Sequence, residues 1–557
     1  MHCTGAEIIT GLLERHGIDT VAGIPGGANL PLYDALHASG IRHILARHEQ
    51  GAGFIAQGMA RVTGRAAVCM GTSGPGATNL LTAIADAKLD SIPMVAITGQ
   101  VPTAMIGTDA FQEVDTYGLS LPITKHNFLA RSAGELLDIL PEAFAIAEGG
   151  RPGPVLVDVP KDVQRARIDF DAWPEPARRQ QPKPCSPADV ARLAEMLARA
   201  ERPVLYIGGG ALASGCGAEL AALARRNHLP VTSTLMGLGV FPPDDPLYLG
   251  MLGMHGARHT NLALDEADLL LAFGVRFDDR ATGKAAEFCR HARIAHIDID
   301  HAELDKIKAA NLSIEADLGE ALRQLLPRVR PNARQDWRSR IDALRAEHPV
   351  DPAPSDDPLH PLRLVNTLAA TLSAEDIVAT DVGQHQMWVA QAYPFRAPRT
   401  WLTSGGLGTM GFGLPAAIGA SLARPDRRTV CVTGDGSLLM NLQELATLAD
   451  LGLPVKVLIM NNGHLGLVRQ QQELFYEQRY HAVQFQTAPD FAALAQAFGL
   501  PAYNLGKLDD PEQALTAALE APGPCVIDAP VHAGENVFPM VPPGAANRDM
   551  IGGLSHV

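Results

Sequence analysis

A carboxylate stands between two glycines at a point where a buried strand should end. The apolar run 430–432 gives way to the sequence GDGS at 434–437, and a helical pattern follows. Free backbone N–H groups at such a junction suit a phosphate, which Asp435 would repel unless a cation lay between them. Asn461 and Asn462 close the next apolar run, about one helix and one strand later, and should reach the same sheet edge. Carboxylate, amide, carbonyl, water and diphosphate oxygens form the octahedral set that Mg²⁺ prefers. The spacing therefore predicts a magnesium ion that holds a diphosphate.

The elements that must position these residues alternate between two types along most of the chain. Short β-branched segments such as "PVLVDV", "PVLYIGG" and "PVKVLIM" are separated by Ala- and Leu-rich helical patterns. This alternation predicts an α/β protein with doubly wound parallel sheets and helices on both faces. Two proline-rich polar stretches, 171–187 and 348–361, interrupt it in the manner of interdomain linkers. We expect three domains and a tail, bounded at 1–170, 186–330, 360–540 and 541–557.

The first and third of these domains resemble each other in sequence. When segment 67–99 is set beneath segment 429–461, Val68 falls on Val430 and most later matches keep the same offset. Either this is the chance likeness of two βαβ units, or one α/β domain was duplicated and then separated by an inserted one. Two facing copies would form a cleft between the carboxyl ends of their strands, where such sheets bind ligands.

Composition and charge exclude several classes of protein. The formal net charge is −15 and there is no Lys/Arg-rich run, which argues against binding to nucleic acid or to anionic membranes. The 7 cysteines are scattered, as reduced thiols of a cytosolic protein are. The first residues resemble no signal peptide, and no apolar stretch reaches the length of about 18 residues that a membrane span needs. We therefore expect a cytoplasmic protein.

Several longer motifs carry a resemblance to a known family. GDGS followed at that interval by NN is the thiamine-diphosphate-binding signature. Nearly the whole chain resembles the catalytic subunits of acetohydroxyacid synthase (acetolactate synthase), through "RHEQGAGFIAQGMAR", "TSGPGATNLLTAIADAKLDSIPMVAITGQ", "GTDAFQEVD", "GVRFDDRATGK", "DVGQHQMWVAQ" and "GGLGTMGFGLPAAIGA". The resemblance implies a thiamine-diphosphate (ThDP) enzyme whose first and third domains both bind the cofactor.

The resemblance also implies roles for individual cofactor-binding residues. Glu49 would hydrogen-bond the pyrimidine ring and, by sharing a proton with it, favour the imino tautomer that deprotonates the thiazolium carbon. Met410 would support the bent shape of the cofactor. Asp435, Asn462 and the backbone carbonyl of His464 would bind Mg²⁺. The remaining candidate ThDP contacts are Pro75, Asn79, Gln384, His385, Gly408, Gly434, Gly436, Ser437 and Gly466.

The same resemblance places other side chains around the substrates. Gly27, Phe111, Gln112 and Lys125 would line the reaction cleft from the facing subunit. A cofactor bound between domains of two chains implies at least a dimer, so we expect a homodimer or homotetramer, and a small regulatory subunit is a further possible partner.

The central domain resembles the FAD-binding domain of this family. The three glycines 208–210 follow the segment "PVLYI", although an incomplete GxGxxG is a weak phosphate signal. The resemblance implies FAD contacts from Gly208, Gly209, Gly210, Arg151, Arg276, Asp298 and Asp317. In this family the flavin is not required for the chemistry.

One position departs from the family pattern. The usual "MVRQWQ" segment reads "LVRQQQ" here, with Gln471 in place of a Trp that shapes the pocket for the second keto acid. Contacts to one methylene are worth roughly 1–3 kcal/mol. We therefore expect weak discrimination between pyruvate and 2-ketobutyrate, and poor inhibition by sulfonylureas and imidazolinones. Arg276, which in the family contacts the carboxylate of the acceptor, is retained.

The resemblance implies a carboligase. It would decarboxylate pyruvate and join the two-carbon unit to pyruvate or 2-ketobutyrate, giving acetolactate or acetohydroxybutyrate for branched-chain amino-acid biosynthesis. The alternatives are a pyruvate oxidase with a catalytic flavin, another ThDP-dependent acyl-transfer enzyme, and a non-catalytic scaffold. A scaffold would normally have lost Glu49 or the pair Asp435 and Asn462, and all three are present.

Overall fold

The computed structural model describes residues 1–179, 181–350 and 355–552. Parts of both predicted linkers, 180 and 351–354, and the end of the predicted tail, 553–557, lie outside the described residues. Over the described ranges, no helix is both long enough and apolar enough to cross a membrane. All seven cysteines lie in these ranges and are free thiols.

The N-terminal domain is built on a six-stranded parallel sheet. The domain contains the strands β1 (His2–Thr4), β2 (Thr20–Gly23), β3 (Arg42–Leu45), β4 (Ala67–Gly71), β5 (Met94–Gln100), β6 (His126–Leu129), β7 (Pro154–Pro160) and β8 (Arg167–Asp169), of which β2 to β7 form this sheet. Its helices are α1 (Gly5–Arg15), α2 (Leu30–His37), α3 (Glu49–Thr63), α4 (Pro75–Asp90), α5 (Thr116–Ser120), α6 (Leu136–Glu148) and α7 (Lys161–Arg165). The sheet order is β3-β2-β4-β5-β7-β6, and β1 pairs separately with β8.

The central domain has a second six-stranded parallel sheet, ordered β11-β10-β9-β12-β13-β14. Its strands are β9 (Pro203–Ile207), β10 (Val231–Ser233), β11 (Tyr248–Met251), β12 (Leu269–Phe273), β13 (Arg293–Asp298) and β14 (Leu312–Glu315). Its helices are α8 (Pro187–Arg199), α9 (Gly209–Ser214), α10 (Gly217–Asn227), α11 (Arg258–Glu266), α12 (Asp279–Thr282), α13 (Leu318–Leu325) and α14 (Gln335–Glu347).

The C-terminal domain has the third such sheet, ordered β16-β15-β17-β18-β20-β19. Its strands are β15 (Ile377–Thr380), β16 (Trp401–Leu402), β17 (Thr429–Gly434), β18 (Val455–Asn461), β19 (Ala502–Asn504) and β20 (Cys525–Pro530). Its helices are α15 (Pro361–Thr371), α16 (Gln384–Ala392), α17 (Gly413–Ala423), α18 (Asp435–Leu438), α19 (Glu444–Leu451), α20 (Gly466–Phe475), α21 (Phe491–Ala497) and α22 (Pro511–Glu520). The predicted α/β class with parallel sheets is confirmed.

The first and third sheets have the same topology. In each six-stranded sheet, the first strand in the chain lies second from one edge, and the next strand forms that edge. The third and fourth strands follow on the other side of the first. The last strand then lies beside the fourth, and the fifth forms the far edge. Val68 and Val430 lie on the corresponding strands β4 and β17. Asp158 and Asp528 are buried on the corresponding strands β7 and β20, each two residues before a proline. These correspondences are what a duplicated domain predicts.

Helices α3 and α17 join the N-terminal and C-terminal domains within the chain. A Cβ at Gly419 would lie 2.8 Å from the carbonyl carbon of Ile55 and still closer to its oxygen, and Gly58 meets Ala416 in the same way. The two backbones therefore touch directly, an approach that only glycine permits at these positions. The helices matter for function because α3 begins at Glu49 and α17 follows the segment that carries Met410.

Candidate active site at the sheet edges

In the C-terminal domain, the chain turns sharply between β17 and α18 at the point where the strand order reverses. Asp435 begins α18, and the backbone N–H groups of Gly436 and Gly463 lie near its carboxylate, where they oppose the rise in its pKa that burial causes. Gly463 belongs to the loop after β18, so the structure brings Asp435 to the loop that carries Asn462 and His464. Burial raises the pKa of Asp435 to about 6, and a cation beside it would restore the charged form.

The loop after β18 is folded tightly around Asn462. Its side-chain oxygen accepts the His464 N–H at 2.9 Å, and its side-chain nitrogen donates to Gln384 at 3.2 Å. A Cβ at Gly466 would lie 2.7 Å from the carboxamide carbon of Gln384, so glycine at the first position of α20 leaves room for this carboxamide. Carboxylate, amide and carbonyl oxygens thus gather beside a glycine turn, a donor set that fits Mg²⁺.

His385 gives an independent reason to expect an anion at this edge. Its imidazole is buried against Gly434, where an added Cβ would lie 3.0 Å from the ring nitrogen Nδ1. Among the described residues, its Nε2 has no hydrogen-bond partner, and burial lowers the pKa of the ring to about 3. The negative charge of a diphosphate would favour the protonated ring, whose Nε2–H would donate to a phosphate oxygen, so the residues present fit a diphosphate. Ser437 is directed elsewhere, because its hydroxyl donates to the Val382 carbonyl at 2.7 Å.

Met410 lies half-buried in the segment 403–412, which precedes α17 and is called the Met410 loop below. The buried Asp381, at the end of β15, accepts the N–H groups of Gly411 at 2.8 Å and Gly413 at 3.1 Å. Asn441 donates to the Gly411 carbonyl at 2.6 Å. Asp381 was not among the predicted site residues, although its place at a strand end, beside Gln384 and His385, was a usable signal.

In the N-terminal domain, Glu49 meets the first turns of α4. Its carboxylate accepts a hydrogen bond from Asn79 at 2.9 Å, and an added Cβ at Gly76 would lie 3.5 Å from the other oxygen. Pro75 begins the same helix. The predicted residues Glu49, Pro75 and Asn79 are thus brought together. The loop before Glu49 is anchored on the C-terminal domain, because Glu444 accepts the Arg47 N–H at 3.0 Å.

The predicted substrate-lining residues divide into two groups. Gln112 packs on the start of α4, since an added Cβ at Gly74 would lie 2.8 Å from its carbonyl oxygen. Phe111 is 87% exposed beside it, and no other described atom lies within 4 Å of the Cβ position at Gly27. All three lie on loops at the carboxyl edge of the sheet, after β5 or β2.

Lys125 lies at the opposite edge, so its predicted place in the cleft is not what the structure gives. It precedes β6, and its ammonium donates to the carbonyls of Ile146 and Gly149 at the end of α6. Burial lowers the pKa of Lys125 to about 8. The lysine at the carboxyl edge is Lys161, which follows β7 directly. The order of lysine and strand in the sequence was the signal that could have separated the two.

The strand order of the central sheet reverses between β9 and β12, where doubly wound sheets bind dinucleotides. Gly208 and Gly210 pack on Gly274 there, and an added Cβ at Gly210 would lie 2.7 Å from the Gly274 Cα. Backbone packing therefore explains these two glycines, while a Cβ at Gly209 would lie 3.3 Å from the Met236 Cβ and 3.9 Å from the Met236 carbonyl oxygen. The N–H groups of Gly208 and Gly210 already donate to the carbonyls of Phe273, at 3.2 Å, and Gly274, at 3.1 Å. Of the three glycines, Gly209 is therefore the one whose N–H could meet a ligand.

The polar residues predicted for the flavin stand around the same edge. Arg276 follows β12 and is half-buried, and Asp298 ends β13 with its pKa raised to about 6 by burial. Asp317 caps α13 by accepting the Glu320 N–H at 2.9 Å. Arg151 reaches across from the N-terminal domain but pairs with acids of the central domain, at 3.1 Å from Asp300 and 2.6 Å from Glu303.

Helix α20 carries three consecutive glutamines with different environments. Gln470 is buried and exchanges hydrogen bonds with the backbone of Val537 at 2.8 Å. Gln472 does the same with His481, at 3.0 and 2.9 Å. Gln471 is exposed and has no hydrogen-bond partner in the part of the chain that the structure describes. Its amide is therefore free to meet a ligand.

Comparison with known proteins gives matches over most of the chain. Three family models match: the thiamine pyrophosphate enzyme N-terminal TPP binding domain over residues 3–119, the central domain over 190–325 and the C-terminal TPP binding domain over 381–529. The chain is 55% identical over 550 residues to the acetolactate synthase isozyme 1 large subunit of Escherichia coli (strain K12), with 99% of this chain and 98% of that one covered. It is 48% identical over 566 residues to the acetolactate synthase large subunit of Parasynechococcus marenigrum (strain WH8102), with coverages of 99% and 91%. It is 46% identical over 566 residues to the chloroplastic acetolactate synthase 2 of Zea mays, with coverages of 98% and 88%.

Proposed function

Because this chain belongs to the acetolactate synthase large subunits among the thiamine pyrophosphate enzymes, we propose that it makes acetolactate from two molecules of pyruvate. One pyruvate loses CO₂, and its remaining two carbons join the keto carbon of the second. With 2-ketobutyrate as acceptor the product is 2-aceto-2-hydroxybutyrate. Bound thiamine diphosphate supplies the carbon that attacks the first pyruvate and carries the two-carbon unit.

The observation that carries this proposal is that two domains of one topology present different and complementary polar groups at their sheet edges. At one edge, Asp435 and the loop of Asn462 supply oxygen ligands for Mg²⁺, and His385 supplies an unpaired nitrogen for a phosphate. At the other, Glu49 is oriented by Asn79. Glu49 would share its proton with the pyrimidine ring, and the carbonyl of His464 would complete the protein ligands of the cation.

We infer that the active form is at least a dimer, with each cofactor between the N-terminal domain of one subunit and the C-terminal domain of another. Large apolar side chains are exposed on both domains, which a monomer would leave in water. They are Met105, Phe111, Tyr117, Leu119 and Leu121 on the first and Leu407, Leu439, Met440, Val468 and Tyr476 on the second. Sedimentation of the purified protein with and without ThDP and Mg²⁺ tests this assembly, and a monomer in both conditions would refute it.

Two further partners follow from the family. The E. coli and Parasynechococcus relatives are named large subunits, and we infer that this chain also pairs with a small subunit. We propose that FAD binds at the carboxyl edge of the central sheet. Gly209, Arg276 and Asp298 would hold it, together with Arg151 from the N-terminal domain. It would have no redox part in the carboligation.

We also propose that Gln471 sets the acceptor preference. The family has a Trp at this position, and Gln471 replaces its apolar ring with a polar side chain. The extra methylene of 2-ketobutyrate therefore gains little apolar contact. Pyruvate and 2-ketobutyrate should therefore compete on nearly equal terms.

One experiment tests the activity directly. The purified chain receives pyruvate, ThDP and Mg²⁺, with and without FAD and 2-ketobutyrate, and the products are identified both in the absence and in the presence of oxygen. Acetolactate formed under these conditions supports the proposal, and the variant E49Q serves as the control for enzyme-dependent synthesis. Acetyl products that need both oxygen and FAD would instead favour a pyruvate oxidase, which the comparisons do not favour.

A further inference from the structure

The Met410 loop is held from outside its own domain. Two carboxylates on the last turns of α4, Asp86 and Asp90, receive four hydrogen bonds from it. The α4 helix belongs to the N-terminal domain, so each of these bonds crosses between domains. Both carboxylate side chains are completely buried.

The two acids receive different kinds of donor. Asp90 accepts backbone N–H groups from Gly405 at 3.0 Å and from Gly406 at 2.7 Å. Asp86 accepts the hydroxyls of Ser404 and Thr409, the latter at 3.0 Å. The bonds therefore fix both ends of the segment 404–409, and Met410 is the next residue.

The charge balance makes these donors necessary. Arg61 on α3 is the shared cation, 3.3 Å from Asp86 and 2.8 Å from Asp90, and its guanidinium lies over the ring of Phe412 at 4.9 Å. One guanidinium faces two carboxylates, so the loop must supply the remaining donors. A buried carboxylate left without them would carry a large desolvation cost.

The opposite end of the same helix holds the proposed catalytic acid. Asn79, in the second turn of α4, donates to Glu49 at 2.9 Å. A single helix of 16 residues thus contacts the acid at one end and the Met410 loop at the other. In the proposed dimer, the end of α4 near Glu49 would contact one cofactor site, and the end near the Met410 loop would contact the other.

The geometry points to Asp86 and Asp90 as positioning residues, which lock the Met410 loop in the shape that supports a bent cofactor. This inference rests on the proposed function. A purely structural reading is that the network only joins two domains. The two readings differ in what happens to the loop and to the cofactor when the network is weakened but the fold is kept.

The first measurement is amide hydrogen exchange of the cofactor-free protein, by mass spectrometry of peptides that cover 403–413. We expect D90N to accelerate exchange in this peptide by about tenfold, since one of two charge-assisted acceptors is lost. The matched control is E444Q. Glu444 is also a buried carboxylate that accepts backbone N–H groups across the same domain boundary, but it contacts the residues before Glu49 and not the Met410 loop.

The second measurement is the rate at which the thiazolium C2 hydrogen of bound ThDP exchanges with deuterium, followed by quenched-flow NMR. We expect D90N and T409V to slow it by about tenfold at saturating ThDP, and T409S, which keeps the hydroxyl donor to Asp86, to restore it. Thr409 is half-buried, so T409V carries the test if D90N fails to fold.

The outcomes separate the two hypotheses. If the unmodified enzyme does not accelerate C2 exchange, the proposed function itself fails. If it does, and T409V and any folded D90N leave both the loop and the C2 rate unchanged, the positioning role is refuted. Equal acceleration of loop exchange in D90N and E444Q would also refute it, because the effect would then be a general loosening of the domain boundary.

Discussion

Replacing Gly419 by Ala should force apart the two helices that join the first and third domains. The new Cβ would lie 2.8 Å from the carbonyl carbon of Ile55, whereas real Cβ contacts below 3.0 Å are essentially never seen. The obstacle is backbone, which cannot rotate out of the way as a side chain can. Helix α17 must therefore move by about 1 Å relative to α3.

The cost can be estimated from two opposing effects. Ala in a helix interior gains roughly 0.5–1 kcal/mol over Gly. Overpacking of a well-packed core costs typically 1–3 kcal/mol and occasionally more, and a backbone obstacle belongs at the upper end. We expect the free energy of unfolding to fall by about 2 kcal/mol. A shift of about 1 Å between Glu49 and the Met410 loop should also lower kcat by roughly 10- to 100-fold.

The assay combines urea unfolding, followed by tryptophan fluorescence, with acetolactate formation at saturating ThDP. The control is G134A, where the nearest described atom to the new Cβ is the Ser132 hydroxyl at 3.9 Å, and stability should change by no more than about 0.5 kcal/mol. The reasoning is wrong if G419A is as stable and as active as G134A.

Three further changes test the candidate site. E49Q should lower kcat by about 10²- to 10⁴-fold with an unchanged unfolding midpoint, because the amide cannot share a proton as the acid does; comparable activity of the two enzymes would remove Glu49 from the mechanism. The pKa of Asp435 is raised to about 6, and a proton there competes with Mg²⁺, so the Mg²⁺ concentration for half-maximal activity should rise as pH falls from 8 towards 6. D435N should raise that concentration at least about tenfold and abolish its pH dependence, and an unaltered Mg²⁺ titration would mean that the cation binds elsewhere. Q471W should increase the preference for 2-ketobutyrate over pyruvate by about 5- to 150-fold in a competition assay, while Q472W, which breaks the bonds to His481, serves as the control for a bulky residue on the same helix.

The features that could be predicted from the sequence are those that depend on the spacing of residues within one short segment of the chain. The interval between Asp435 and Asn462 has about the length of one helix and one strand, and that length alone predicted both residues at one sheet edge. In the structure the interval holds the short helix α18, helix α19 and strand β18. The prediction that Lys125 lines the cleft came from a motif alone and did not use the order of lysine and strand along the chain. Lys125 precedes β6, and parallel strands place such a residue at the edge away from the ligand.

The unpredicted part is the set of contacts between distant segments. Asp86 and Ser404 are separated by 318 residues, and nothing in either local sequence announces their hydrogen bond. Glu444 and Arg47 are a second example. Buried carboxylates with donors from another domain leave no periodic pattern, so only the folded chain reveals that Asp86 and Asp90 hold the Met410 loop.

The glycine contact between α3 and α17 also limits how the protein can move. A hinge needs a layer of side chains that can slide or repack, and here two backbones touch with none between them. Opening and closing of the first domain against the third within a chain is therefore not available for admitting substrate or for shutting out water. That gating is left to the loops around residues 105–112 and 476–482, which are mostly exposed, and to the boundary between the proposed subunits.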